Sequence, residues 1–526
     1  MPHLRPLILC LALAAPLSLP LAVCAAAASL PSTNVAWLPA AADADVDSAF
    51  AQARTANKPL LMYWGATWCP PCNQLKATFF NRQDFALASK GFVAVHVDGD
   101  RPGAQKIGRR FKVSGYPTVV LFSPAGQEIT RLPGEVEPER MMAVLQLGMA
   151  GGRAVEAVLA DARAGRPLTD GEWRMLAFYS WGTDDQRLVQ RADLPALLAQ
   201  LAVAASAAGS RADADTATRL WLQAVAASDD GQGLKPDAAL RQRVQRVLAD
   251  PAVSRRHADV LTNEAPGIVR ALSDDGSADR APLLASVTAT LRRFEADAGL
   301  SRGDRLSALI SRIQLARLGQ PKDAVQVDLP AALLQEVKTH VARDDREITD
   351  GYERQAVITA AAYALGQAGL WDDSDALLKA NLARSHSPYY LMSQLGSNAR
   401  KRGQTTQALD WYGQAFAKSE GPATRLQWGS GYLSALVDLA PQDSTRIEAT
   451  ATQLIAEAAK DPGSFSGRSV RSLQRMGRKL QGWSSDGQHP AVMQRLQGQL
   501  DGVCARVDAA ERDTCTGLLK AASPAG

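Results

Sequence analysis

The stretch Leu60-Leu61-Met62-Tyr63-Trp64-Gly65-Ala66-Thr67-Trp68-Cys69-Pro70-Pro71-Cys72 carries the reading of this chain. Its first five residues are apolar and lie between Pro59 and Gly65, which predicts a buried strand. The two cysteines then open a predicted helix over 70–80. A Cys-x-x-Cys pair can be half of a zinc site, a structural disulfide or a redox couple. Zinc asks for four ligands. The chain has no second Cys-x-x-Cys, and its six histidines (His3, His96, His257, His340, His386 and His489) are scattered. Context therefore favours the redox couple. Cys69 would stand at a helix N-terminus, where unpaired N–H groups and the helix dipole stabilise a thiolate. Pro70 and Pro71 suit the first turn, whose N–H groups have no intrahelical partner. Cys72, one turn deeper, is placed to resolve a mixed disulfide formed at Cys69.

Outward from this motif, residues 34–150 alternate between strand-like and helix-like runs. Strands are predicted at 60–64, 92–98, 118–122 and 128–132, with Pro124-Ala125-Gly126 turning the last two into an antiparallel hairpin. Helices are predicted at 46–56, 70–80, 84–90, 104–111 and 138–149. The fold class is a compact α/β sandwich followed by a large all-α region.

With Trp68 before the first cysteine and Gly115-Tyr116-Pro117-Thr118 downstream, residues 58–134 resemble a thioredoxin-fold domain. The resemblance implies that Pro117 is cis and lies beside the cysteine pair. It also implies that Trp68, Tyr116 and Pro117 shape the substrate platform, and that Cys69 and Cys72 form a catalytic, redox-active disulfide. Gly134 matches the family's glycine near the same place. The Cys-Pro-Pro-Cys core resembles tryparedoxins and nucleoredoxins, while the flanking sequence looks more like exported bacterial thioredoxin-like domains. Family members with proline before the second cysteine tend to work as reductants. One departure stands out. Six residues before the first cysteine the family commonly has a buried aspartate, and here stands Tyr63, with Ala94 where a lysine often partners it. A phenol of ordinary pKa ~10 is a poor base at neutrality, so Tyr63 reads as core packing with its hydroxyl on water.

From Gly151 onward the strand-like runs disappear. Leu194, Leu197, Leu198, Leu201, Ala202 and Ala205 recur at helical spacing, and this pattern continues past residue 500. An all-helical stretch of this length suggests a stacked array. Leu395-Gly396, Gly403, Ala408, Tyr412 and Ala415 match the spacing of a tetratricopeptide unit, which places Gly396, Gly403 and Ala408 where helices pack closely. Gly369 precedes Gly403 by the 34-residue period of that repeat. Irregular helical hairpins are the alternative. Near the end, Cys504 and Cys515 would stand ~16 Å apart in one unbroken helix. A bridge between them needs a turn, placed around 508–513. A structural disulfide is the favoured reading over free thiols or a second redox pair.

Residues 1–28 read as a signal peptide: Leu7–Val23 is apolar but carries Pro16 and Pro20, and Ala25–Ala28 offers small residues for cleavage. A lipid anchor at Cys24 is the competing reading, weakened by Val23 in place of a small residue. No later stretch is long enough to span a membrane. The net charge of +4 is too balanced for a nucleic-acid binder that works by neutralising phosphates. These readings converge on a periplasmic thiol–disulfide oxidoreductase with no diffusible cofactor and no metal. Its partners would be protein thiol or disulfide substrates and an inner-membrane thiol reductant. A non-enzymatic scaffold is the rival class, and a copper metallochaperone a distant third.

Overall fold

A computed structural model describes residues 35–520 apart from 135, 210–212, 229–233 and 322. The signal-peptide reading of 1–28, including Cys24, lies outside the described residues. Strands β1 (Leu38–Ala40), β2 (Leu60–Gly65), β3 (Val93–Asp98), β4 (Thr118–Phe122) and β5 (Glu128–Leu132) form one mixed sheet in the order β1-β3-β2-β4-β5. β1 and β2 run parallel to β3, whereas β4 runs antiparallel to β2 and β5. The hairpin turns at Gly126, whose φ of +86° costs glycine nothing.

Central β2 is buried on both faces, which explains its unbroken apolar run. Leu60, Met62 and Trp64 face α1 (Asp43–Ala56) and α4 (Ala104–Arg110) in one core, built with Phe50, Ile107 and Phe122. Leu61 and Tyr63 face the opposite side, with Phe79, Phe80 and Phe85 and with α5 (Pro138–Met149). That second core does not stop at the sheet. It runs on through Leu159, Trp173, Tyr179 and Leu201, so the α/β unit and the helical region share one apolar interior.

Two local readings need correction. β1 was not among the predicted strands: it has three residues, one of them Pro39, and only an edge position parallel to β3 makes it a strand. The helix predicted over 70–80 is α2 (Pro70–Leu75) followed by a single π turn, Lys76–Phe80. The wider turn lets the adjacent Phe79 and Phe80 both reach the core.

Beyond Leu132 no strand occurs among the described residues, and twenty α-helices follow α5. None of the described helices is long and apolar enough to cross a membrane. Helices Pro388–Lys401 and Thr405–Lys418 pack as an antiparallel pair. A Cβ on Gly396 would stand 2.9 Å from the Tyr412 ring, and Ala408 is fully buried, so both are sites of close approach. Gly403 is not. Nothing lies near its absent Cβ, and its φ of +73° shows that glycine serves the turn instead. In the preceding pair, the residues 34 positions before Gly396 and Ala408 are Ala362 and Ser374. The Ser374 hydroxyl donates to the Ala362 carbonyl at 2.8 Å.

Candidate active site

Cys69 caps α2. Its Sγ accepts the N–H of Cys72 at 3.2 Å, and the two sulfurs are joined in a disulfide with Cα atoms 5.2 Å apart. Pro70 and Pro71 occupy the first turn without forfeiting a helix bond. Fully buried Asn73 donates to the carbonyls of Thr67 and Cys69, each at 2.9 Å, fixing the approach to the helix. The Tyr116–Pro117 peptide is cis, and Pro117 lines one cavity together with Pro71 and Gly134. A Cβ on Gly134 would meet Pro117 Cγ at 3.1 Å. The fold thus brings Trp68, Cys69, Cys72, Tyr116 and Pro117 to one end of the sheet.

Sequence reasoning missed what stands over them. Cys69 is 2% exposed and Cys72 fully buried, because Tyr389, Met392 and Ala415 of the helical region pack directly on the pair and on Trp68. Tyr390 stacks on Trp68 with ring centroids 5.8 Å apart, and Trp428 meets the same indole edge-on. The guanidinium of Arg468 lies over the Trp68 ring, 4.4 Å from its centroid. Asp100 ties the layers together: its carboxylate accepts Trp68 Nε1 at 2.9 Å, Thr424 N at 2.8 Å and Thr424 Oγ1 at 2.7 Å. Burial pushes the Asp100 carboxyl up from its ordinary range, and Arg468 and these donors oppose the shift. Gln105 Nε2 donates to Tyr116 Oη and to the Gly99 carbonyl, while its Oε1 accepts Arg468 N. Further out, His386 Nε2 lies 3.0 Å from the Thr67 carbonyl, and Gln74 donates to Ser301. The sequence of helix Gly467–Trp483 does not announce this. Arg468 is one of many arginines, and only the fold carries it to Trp68.

Tyr63 departs from the expected arrangement as well. Its hydroxyl has no hydrogen-bond partner and is sealed from water, because Gly65, two residues on, leaves room for it. Burial, reinforced by Asp98, raises its pKa far above the phenol range, so it takes no proton from Cys72. The ring stacks on His96 with centroids 5.0 Å apart. Burial, then Lys76 and Arg101, lowers the His96 pKa to about 4. Burial likewise holds His257 at about 4, in the helical region. Both depressed values give the same sign. The unfolded chain binds these protons more readily, so their contribution is complete above pH ~6.5 and is lost as pH falls through about 4. Chemical denaturation at pH 7 and pH 4 should show a loss that His96→Phe, which keeps the ring stack, reduces by up to about 3 kcal/mol.

Cys504 and Cys515 form the second disulfide, with Cα atoms 5.6 Å apart. The turn lies earlier than the expected 508–513: it occupies 505–508, between helices Pro490–Cys504 and Ala509–Thr516. This hairpin is remote from Cys69, yet it grips the α/β unit. Asp508 pairs with Lys106 at 2.5 Å, and Glu511 lies 3.6 Å from Arg109.

A thioredoxin-like domain family model matches residues 46–148. The thioredoxin of Malassezia sympodialis is 32% identical over 97 residues, which cover 87% of that protein and 18% of this chain. The chain belongs to the thioredoxin family. Thiol:disulfide interchange protein DsbD 1 of Pseudomonas aeruginosa is 28% identical over 111 residues, and DsbD of Klebsiella pneumoniae 32% over 87. The chain spans 19% and 14% of these two proteins, and the matches take up 20% and 16% of its own length. The likeness lies in the thioredoxin domain. Its Cys-x-x-Cys pair at a helix N-terminus supports thiol–disulfide exchange.

Proposed function

We propose that this protein is an exported thiol–disulfide oxidoreductase that reduces protein disulfides. The observation that carries the reading is the Cys69–Cys72 disulfide at the N-terminus of α2, beside the loop bearing Pro117. In the reduced protein, Cys69 thiolate attacks one sulfur of a client disulfide, and the other client sulfur leaves as a thiol. Cys72 thiolate then attacks Cys69 Sγ, releasing the second client thiol and leaving the pair oxidised. Two electrons pass to the client, and a dithiol reductant, membrane-borne by family resemblance, must restore them. Trp68, Tyr116 and Pro117 form the platform for the client. The apolar run and alanine tract before residue 28 support export to the periplasm. The matched 34-residue offset of the helix pairs supports a tetratricopeptide-like array, with a role in holding clients.

The test is a turnover assay with a dithiol reductant and a protein disulfide, paired with equilibration of Cys69–Cys72 against glutathione. A potential near −270 mV fits reductive work, and one near −120 mV would reverse the proposed direction. Absence of exchange in both assays would leave a scaffold.

A further inference from the structure

The helical region carries a cleft that shares no residue with the cluster around the cysteine pair. Its volume is about 890 Å³, and it opens between the C-terminal ends of helices Pro422–Leu439 and Gly467–Trp483 and the chain at 485–489. We propose that this cleft binds a phosphate ester, that is, a phosphate group on an organic body, and that Arg475, Arg478 and Lys479 hold the anion. A soluble ester and a lipid headgroup share this chemistry.

Charge is the first argument. Helix Gly467–Trp483 carries Arg468, Arg471, Arg475, Arg478 and Lys479 and no acidic residue. Arg471, Arg475 and Lys479 follow at four-residue spacing, and Arg478 stands three after Arg475, so like charges crowd one face and weaken the helix. None lies in the last turn, where the helix dipole would favour a cation. Arg468 is spent on Trp68, and Arg471 donates to the Ser114 carbonyl at 2.9 Å. Lys479 pairs with Asp438 at 2.6 Å, but that carboxylate also takes Arg400 at 2.8 Å. Arg475 and Arg478 make no hydrogen bond or ion pair among the described residues. Asp443, next to Gln442 on the rim, caps its own helix by accepting Arg446 N at 3.2 Å. Arg400, Arg475, Arg478 and Lys479 thus outnumber Asp438, and they still do with Asp486, next to Ser485 in the chain, set against them.

The second argument is the match of the walls to the ligand class. Guanidinium groups bind phosphate and carboxylate alike through paired N–H groups. The number of cations decides between the two. Three on one wall can each serve a different oxygen of a tetrahedral phosphate, whereas a carboxylate offers only two oxygens. The volume is that of a small-ligand site, and a bare anion would leave most of it unfilled. An organic body would lie on apolar surface, since Val437, Pro441 and Trp483 line the cleft as well. Trp483 is fixed there, donating Nε1 to the Pro441 carbonyl at 2.8 Å. His489, at φ +56°, stacks its ring on Trp483 with centroids 3.8 Å apart and completes the lining.

The experiment titrates the full chain with glycerol 3-phosphate by calorimetry and, in a second arm, with phosphatidylglycerol vesicles by co-sedimentation, phosphatidylcholine vesicles being the zwitterionic control. Wild type should bind at least one of the two anionic probes. The double variant Arg475→Gln with Arg478→Gln should weaken that binding about 10- to 100-fold. Both arginines are exposed, and glutamine removes like-charge contacts, so this variant should melt no lower than wild type. Arg54→Gln with Arg163→Gln removes the same charge from exposed positions elsewhere and should bind as wild type does. Binding of glycerol 3-phosphate supports the site with a soluble ester as its ligand, and binding of the anionic vesicles alone supports it with a lipid headgroup. The proposal is overturned if wild type binds neither anionic probe, or binds both kinds of vesicle equally. It is also overturned if the two double variants behave alike, which would mean attraction by net charge only, or if succinate binds as tightly as the phosphate ester.

Discussion

Cys69→Ser is expected to abolish disulfide reduction, by about 1,000-fold or more, because no other thiol among the described residues can start the exchange. Cys72 stands one turn inside α2 and is fully buried, and the other two cysteines of the described residues are paired with each other. Cys72→Ser should behave differently. The first attack still occurs, but nothing resolves the mixed disulfide at Cys69, so covalent client complexes accumulate and turnover stops after one event. Non-reducing electrophoresis of protein purified from its producing cells, followed by mass spectrometry, reads both results. Complexes that form equally with Cys69→Ser would reverse the assigned roles. If neither variant traps a partner and wild type shows no turnover, the fold is a scaffold.

Much of this was legible in the sequence, for a physical reason. The thioredoxin domain is written in short-range grammar: apolar runs bounded by turn residues at β2 and β4, a Pro-Ala-Gly turn leading into β5, and Pro70-Pro71 where a helix starts. The chemistry is equally local, since Cys69 and Cys72 are three residues apart. The roof is not local. Tyr390, Thr424, Trp428 and Arg468 lie more than 300 residues from Trp68 in the chain, and in sequence each is an ordinary residue of an amphipathic helix. The same holds for Asp100, which becomes a linchpin only when Thr424 docks on it. Gly403 misled for a related reason: the repeat spacing names a glycine without saying whether a turn or a close contact requires it.

The roof is also where a large effect is expected from residues that take no part in the chemistry. With Cys69 2% exposed, a small alkylating agent reaches the reduced thiol only when the helical region moves off it. Thr424→Val deletes a hydroxyl bond to the Asp100 carboxylate, and bonds to charged groups are worth about 1.5–3 kcal/mol. Every 1.4 kcal/mol is tenfold in an equilibrium. Iodoacetamide should therefore modify Cys69 of the reduced variant about 10- to 100-fold faster than in wild type. Trp428→Ala, which removes the ring edge-on to Trp68, should act in the same direction. General destabilisation has to be separated from local opening. Ala265→Phe overpacks a fully buried position of helix Ala265–Leu272, which supplies none of the roof residues, and should cost about 1–3 kcal/mol. If it accelerates alkylation as much as Thr424→Val does, exposure follows global unfolding. If only the roof variants do so, Cys69 is uncovered by a local movement of Tyr390, Thr424 and Trp428, and the helical region controls access to the thiol.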